Sequence, residues 1–318
     1  MKRILIIQTA FLGDVILATP VVSELKRLFP DSSIDFLLKK GNESLLSNHA
    51  DIGKVFILDK SNGKWKSIRG LIKAFRKEQY DLVINLHRFG SSGIIAGRSG
   101  GKKRYGFKRN PFSFLFTKSF KHVIGDGTHE VERNLSMIQE FGAASKVRPS
   151  LYPSEEDQSF VSEYVKEKYY CMAPSSVWFT KQLPKHKWVE LIQSIENDTI
   201  YLLGAPSDAE LCDEIKSLAD SNEVVNLAGK LSLLQSAALM KGATRNYVND
   251  SGPLHLASAM NADVTAFFCS TVPDFGFGPL SDDSEIKQVN GLECRPCGLH
   301  GHKECPKGHF KCGSVSIP

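Results

Sequence analysis

Three short segments hold residue types whose spacing fits chemistry on a charged substrate. The first is Gln8-Thr9-Ala10-Phe11-Leu12-Gly13-Asp14-Val15, between an apolar run and an amphipathic one. It reads as a strand-to-helix turn, with Gly13 at the turn and Asp14 at the helix start. An aspartate there is an ordinary cap or first-turn residue, worth about 1 kcal/mol. At the carboxyl end of a first strand it is also placed to take a proton from an attacking hydroxyl as that proton departs. The second segment is Asn249-Asp250-Ser251-Gly252-Pro253-Leu254-His255-Leu256. Asp250 or Ser251 can cap a helix, Gly252 allows close backbone approach, and Pro253 suits the first helical turn. Free N–H groups at such a start hold anions, so a diphosphate would bind there; a well-capped helix without a ligand has the same local chemistry. The third runs from Ala173 to Pro184. Ser175 and Ser176 stand where a strand ends, and Lys181 could balance the charge on a departing diphosphate. A loop lysine that is simply solvated looks the same.

Other features narrow the chemistry. No G-x-G-x-x-G follows the first strand, which argues against NAD- and FAD-dependent enzymes. Cys294, Cys297, Cys305 and Cys312 lie close together among His300, His302 and His309. One C-x-x-C without a second leaves a structural zinc and free thiols both open. Cys171, Cys212 and Cys269 sit in apolar contexts and read as core thiols in a reducing compartment. Lys102-Lys103-Arg104-Tyr105-Gly106-Phe107-Lys108-Arg109 continues into Phe112, Phe114, Leu115 and Phe116, then Lys118 and Lys121. Cations interleaved with rings suit single-stranded nucleic acid. They equally suit an anionic lipid surface, where each Lys or Arg adds roughly 1 kcal/mol.

The elements that must position these residues alternate along the chain. Strands are expected at Arg3 to Gln8, Ile34 to Leu38, Val55 to Leu58 and Leu82 to Leu86, with helices at Val15 to Leu28 and Trp65 to Arg76. From Val147 to Glu156 the periodicity stops amid prolines and serines, which marks a linker. Beyond it, strands are expected at Tyr170 to Ala173, Ile200 to Leu203, Val224 to Leu227, Asn246 to Val248 and Val264 to Phe268. Helices are expected at Glu156 to Glu167, Trp188 to Ile195, Ser232 to Met240 and Pro253 to Met260. This is an α/β pattern of parallel sheets covered on both faces. The 318 residues allow two such domains, 1–152 and 153–318, with ligands beyond the strands' carboxyl ends and a cleft between the halves. Hydrophobic content of 42% and a net charge of +5 are ordinary for a water-soluble protein with an acidic partner. No apolar run approaches the ~18 residues of a spanning helix. The basic start Met1-Lys2-Arg3 precedes too short an apolar run for a signal peptide, so the chain is read as cytoplasmic.

Taken in order, four pieces resemble glycosyltransferase family 9, the ADP-heptose:lipopolysaccharide heptosyltransferases, and within it the heptosyltransferase II type. They are Phe11-Leu12-Gly13-Asp14 with Thr19-Pro20, Ser175 to Pro184 with Trp188, Leu203-Gly204, and Asn249 to Ala257. The resemblance implies a GT-B fold of two Rossmann-like domains, the first for the acceptor and the second for the nucleotide sugar. It implies an inverting transfer that requires no metal or depends on one, such as magnesium, only weakly. Asp14 is then the general base and Lys181 neutralises the donor phosphates. Asp250, Ser251, Gly252 and His255, with Thr271 in the next loop, bind the donor, as do Ser175 and Ser176. Gly13, Arg88, Lys102, Lys103, Arg104, His129 and Arg133 become acceptor-side candidates. The partners implied are ADP-heptose and a phosphorylated lipid A inner core at the cytoplasmic face of the inner membrane, with no nucleic acid and a monomeric enzyme. A GT-B comparison also leads one to expect a closing helix after the cysteines; none is evident before Pro318, which reads as a shortened end.

Three other readings use the same residues. One is the same fold acting on a different nucleotide sugar. Another is a nucleotide-sugar epimerase, which would need a carboxylate set not identified here. The third is a binding module for anionic glycolipid, which would have no use for both a base and a leaving-group cation.

Overall fold

The structure is a computed structural model in which residues 1–61, 63–221 and 223–317 are described. The chain divides into two compact units: Met1–Ile124 with Thr128–Tyr152, and Gly125–Gly127 with the residues from Pro153 on. Pro318, the last residue of the expected second domain, lies outside the described residues.

The first unit is a six-stranded sheet built from β1 (Arg3–Ile7), β2 (Ser33–Lys39), β3 (Ile52–Leu58), β4 (Leu82–Asn85), β5 (Lys103–Phe107) and β6 (Lys118–Phe120). Its order is β3-β2-β1-β4-β5-β6 and every pair is parallel. The apolar residues of β1 and β4 are buried on both faces, which is why these strands read as unbroken apolar runs. The helices are α1 (Leu12–Ile16), α2 (Thr19–Leu28), α3 (Lys64–Glu78), α4 (Gly90–Arg98) and α5 (Glu130–Ser136). The single helix expected over Val15 to Leu28 is thus two. Pro20 has no N–H for the Ile16 carbonyl, and the Thr19 hydroxyl donates to it instead at 2.8 Å. Residues 110–116 lie flat against α4, because Gly93 and Gly97 leave room for Asn110 and Leu115; a Cβ at either glycine would meet them within 2.0–2.5 Å.

The second unit repeats the pattern. Its strands are β7 (Tyr169–Ala173), β8 (Thr199–Leu202), β9 (Val224–Asn226), β10 (Arg245–Asn249), β11 (Val264–Phe268) and β12 (Ser284–Gln288). They run parallel in the order β12-β11-β10-β7-β8-β9. Counted within the unit, this is the first unit's order again. Its helices are α6 (Glu155–Val161), α7 (Lys185–Gln193), α8 (Ala209–Ala219), α9 (Leu233–Gly242) and α10 (Gly252–Met260). Ser154 and Ser232 cap α6 and α9 by accepting the N–H three residues on. The helix expected to reach Glu167 stops at Val161 and passes into a single 3-10 turn, Ser162–Tyr164.

Each sheet has a core of its own. In the first unit Leu5, Ile7, Val83 and Leu37 pack with Ile68 and Phe75 of α3. In the second, Trp188 of α7 is fully buried, meets Phe267 edge-on at 5.4 Å, and donates its indole N–H to the Leu183 carbonyl at 3.1 Å. Trp188→Ala therefore empties a ring-sized space and strands a carbonyl at the end of the 173–184 loop. Urea unfolding should show a loss of about 3–5 kcal/mol in the second unit's transition. A cost below about 1 kcal/mol would mean that the site had collapsed around the smaller side chain.

Candidate functional site

In a parallel sheet all carboxyl ends point the same way, so residues just past the strands gather on one edge. In the first unit this edge carries Thr9 and Asp14 after β1, and His87 and Arg88 after β4. Gly13 lies inside α1 without a left-handed φ, so the turn expected at Gly13 is made by Ala10 and Phe11 instead. Asp14 is half-buried, and its carboxylate accepts the Phe11 N–H at 3.2 Å. Burial pushes its pKa up to about 6, with Glu130 adding to the rise and the Phe11 N–H and Arg88 opposing it. The carboxylate is ionised near neutrality yet far more basic than an exposed aspartate, as suits a general base.

Glu130 was not singled out from the sequence. It is buried and bonded by His122 Nε2 at 3.0 Å and Arg133 Nη1 at 2.8 Å. Burial raises its pKa, but the bonds and charges of His122 and Arg133 outweigh that and hold it below the usual range. His129 caps α5, its Nδ1 accepting the Val131 N–H at 3.2 Å. His87 was missed as well. Its Nδ1 lies 2.8 Å from the Thr9 hydroxyl, and burial together with Lys60 and Arg88 pushes its pKa down to about 4, so the ring is neutral. The available signal was a polar His-Arg pair directly after an apolar strand.

Lys102, Lys103 and Arg104 are not brought to this edge. Lys102 directly precedes β5 and Lys103 and Arg104 begin it, at the amino ends of the strands. Lys102 pairs with Asp81 at 2.8 Å, and Lys103 Nζ stands 5.1 Å from the centre of the Phe141 ring. Arg104 donates to the Gly101 and Leu115 carbonyls. The basic-aromatic tract is therefore two strands and the segment between them.

In the second unit the carboxyl edge draws together the residues after β7, β10 and β11. Asp250 follows β10, and Lys181 Nζ lies 2.8 Å from its Oδ2. The Thr271 hydroxyl donates to the same oxygen at 2.6 Å. The Lys181 side chain is 16% exposed and that of Asp250 7%, so the pair is largely out of water. Asn249, which opens the second segment but was given no role of its own, is fully buried. Its Oδ1 accepts the Leu183 N–H at 2.8 Å and its Nδ2 donates to the Pro174 carbonyl at 2.9 Å, tying both ends of the Lys181 loop to β10. Ser175 donates to Asp208 Oδ1 at 2.8 Å, and the Ser176 carbonyl accepts from Gln182 at 2.7 Å.

At the start of α10, Ser251 is the N-cap but its side chain makes no capping hydrogen bond, and Pro253 falls in the first turn. Pro253 has no N–H and that of Leu254 is bonded to the Ser251 carbonyl at 3.1 Å, so the N–H groups of Ser251 and Gly252 are the ones available to an anion. His255, one turn in, is buried with its ring edge-on to Phe277. The end of the chain carries the four cysteines for which a structural zinc and free thiols were both open. No three metal-ligating side chains come together among the described residues. Cys312 is buried in the core beside Val315, and after burial the neighbouring Cys297, Cys305 and Cys294 thiols help push its pKa up. Cys297 donates to the Cys294 carbonyl at 3.0 Å, and Cys294 Sγ lies 3.9 Å from His309 Nε2.

Two doubly wound units with polar side chains gathered at their strand ends are the architecture of the GT-B glycosyltransferases. Comparison with known proteins gives the same class. The model of glycosyltransferase family 9 (heptosyltransferase) matches residues 68–309. Lipopolysaccharide heptosyltransferase 3 of Escherichia coli K12 is 30% identical over 278 residues, 81% of this chain and 80% of that one. The structure of E. coli ADP-heptose LPS heptosyltransferase II superposes with a TM-score of 0.79 at 22% identity, covering 93% of this chain and 96% of that one. E. coli heptosyltransferase WaaC with ADP gives 0.71 at 22%, covering 89% and 92%. The chain belongs to glycosyltransferase family 9. It is an enzyme of the heptosyltransferase family.

The Lys181–Asp250 pair makes a separable prediction. Removing one partner leaves a buried charge, so Lys181→Met should cost about 3–5 kcal/mol in urea unfolding. Adding Asp250→Asn should restore more than half of that loss. Strictly additive losses in the double variant would show that the two side chains are not coupled.

Proposed function

We propose that the chain transfers a heptose from ADP-heptose onto the inner core of lipopolysaccharide, inverting the anomeric centre. The first unit binds the acceptor and the second the nucleotide sugar. The reading rests on a division of labour. A carboxylate of raised basicity stands at the strand ends of one unit, and a lysine beside an open helix start stands at those of the other. The three heptosyltransferases named above, one of them solved with ADP, support the substrate assignment.

In this mechanism an acceptor hydroxyl oxygen attacks the anomeric carbon while its proton passes to Asp14. The bond from that carbon to the β-phosphate oxygen breaks, and ADP leaves with the electron pair. The N–H groups of Ser251 and Gly252 and the ammonium of Lys181 take up the developing charge. Lys181 must then share itself between Asp250 and the diphosphate, while Thr271 keeps Asp250 in place. Ser175, Ser176 and His255 are assigned to the donor. Gly13, Arg88, His129 and Arg133 are assigned to the acceptor side, where the partly exposed Arg88 meets a phosphate of the lipid A core while the buried Arg133 holds Glu130 behind it. No step uses a metal, and the enzyme works at the cytoplasmic face of the inner membrane.

The test is ADP release and heptose transfer with a panel of ADP-, GDP- and UDP-sugars and a truncated inner-core acceptor. Turnover with ADP-heptose alone is expected, and preference for another nucleotide sugar would replace the donor assignment. Asp14→Asn keeps an acceptor for the Phe11 N–H, so it should retain donor affinity by calorimetry while losing at least ~100-fold in kcat. The ionised carboxylate is the active form. In the wild type kcat/KM should therefore fall about tenfold per pH unit below pH ~6 and level off above it. Glu130→Gln removes a negative neighbour and should move this limb to lower pH. A limb that stays in place would detach the titration from Asp14.

A further inference from the structure

The basic helix α3 is not used by the transfer chemistry. Its sequence, KWKSIRGLIKAFRKE, has six basic residues and one acid, a formal +5 that equals the net charge of the whole chain. Its acid, Glu78, is already paired with Arg3 and Lys54. Ile68 and Phe75 are buried against the sheet, with Leu71 and Ile72 packed beside them. On the opposite side Arg69, Lys73, Arg76 and Lys77 recur at helical spacing, and all four are exposed. With Arg98 at the end of α4 and the side chain of Ile72 they line a groove of about 480 Å3. None of the five cations forms an ion pair with a carboxylate among the described residues; Arg76 Nε donates to the Arg98 carbonyl at 3.0 Å.

This groove is remote from the candidate site. The Tyr80 carbonyl, just past the end of α3, accepts the N–H of Lys102, next to the first residue of β5. The C-terminal half of α3 therefore lies at the amino ends of the strands, whereas Asp14 and Arg88 lie at the carboxyl ends. A helix of fifteen residues spans about 22 Å. Trp65 stands on the same helical stripe as Arg69 and Arg76, in the first turn, and is 57% exposed. The apolar face of α3 is used up in the core, so what the helix offers a bilayer is its exposed cations and the Trp65 ring, groups that sit at the headgroup level of an anionic surface. A strand of nucleic acid would need rings inside the groove to stack on, and its lining has none.

We propose that the exposed face of α3, with Arg98, docks the first unit on an anionic phospholipid bilayer. This deepens the membrane-face part of the proposed function and is independent of the transfer step. The cations meet headgroup phosphates and Trp65 sits at the interface, so binding requires acidic lipid and weakens as salt screens it.

The experiment is co-sedimentation of the full chain with phosphatidylcholine vesicles, with and without phosphatidylglycerol, at low and high salt. Binding is expected only to the acidic vesicles at low salt. The triple variant Arg69→Gln, Lys73→Gln, Lys77→Gln should bind them about 100-fold more weakly. Lys166→Gln, Lys216→Gln, Lys241→Gln removes the same charge from the second unit and should leave binding within about threefold. Transfer to a lipid-free acceptor should be unchanged in the α3 variant, so failure of the docking idea and of the transferase reading are told apart. Equal losses in the two triple variants would reduce the effect to net charge and overturn the proposal. Release by free glycerol phosphate would turn the groove into a small-anion pocket. Tighter binding of an RNA oligonucleotide than of the vesicles would assign it to nucleic acid.

Discussion

Asp250 is a carboxylate carried into a place that water barely reaches, and three separate segments must meet to keep it there. Lys181 supplies the opposing charge and Thr271 a hydrogen bond, while the Asp250 N–H is fixed on the Phe267 carbonyl of β11 at 3.1 Å. A buried charge without partners costs several kcal/mol, so any arrangement of these loops that separates the pair is disfavoured. The same carboxylate lies directly before the open start of α10. The constraint that stabilises the loops therefore also presents a cation and unused N–H groups side by side. Asn249 completes the arrangement without touching a substrate, since its amide joins the Pro174 and Leu183 ends of the loop between them.

The two units solve the polar problem differently. In the second, charge is cancelled locally and the site is held ready for an anion. In the first, Asp14 is left with a buried anionic neighbour, Glu130, whose own charge is satisfied by His122 and Arg133. Glu130 can stay ionised because of those two bonds, and its field then raises the basicity of Asp14. The raised pKa of Asp14, due first to burial, is in this sense reinforced by an ion-pair network around Glu130. A neutral His87 bonded to Thr9 adds polarity at the same edge without adding charge.

Much of the fold was legible because parallel strands covered on both faces must be apolar throughout. β1, β4, β7 and β11 read clearly for that reason, as did the break in periodicity near Pro153. The strands that escaped notice are at or near sheet edges. β12 presents Ser284, Glu285 and Lys287 in five residues, and β5 and β6 begin with lysines. An edge strand is relieved of burial on one side, so its alternation is diluted by charge, and a basic tract conceals the strand within it. The break between α1 and α2 depended on a hydroxyl replacing one missing N–H at Pro20, which is a matter of geometry rather than of pattern.

The candidate site shows a related limit. Asp14, Lys181, Asp250 and Thr271 were legible because each lies in the segment that leaves the carboxyl end of a strand, where the topology alone brings residues to one edge. His122 comes from the connection between β6 and α5, Glu130 is the first residue of α5, and Asn249 is the buried last residue of its strand. Their roles depend on which hydrogen bonds close in three dimensions. The reverse holds for Lys102, Lys103 and Arg104, which have the chemistry for phosphate but stand at the opposite ends of the strands from Asp14. Charge in a sequence fixes what a segment can bind, and strand direction decides where. The basic tract and α3 meet at the amino edge, so the unit has cations at both ends of its sheet. Asp81 and Glu78, beside the amino-edge cations, are held below the usual carboxylate range by their ion pairs, whereas Asp14 at the carboxyl edge is held above it.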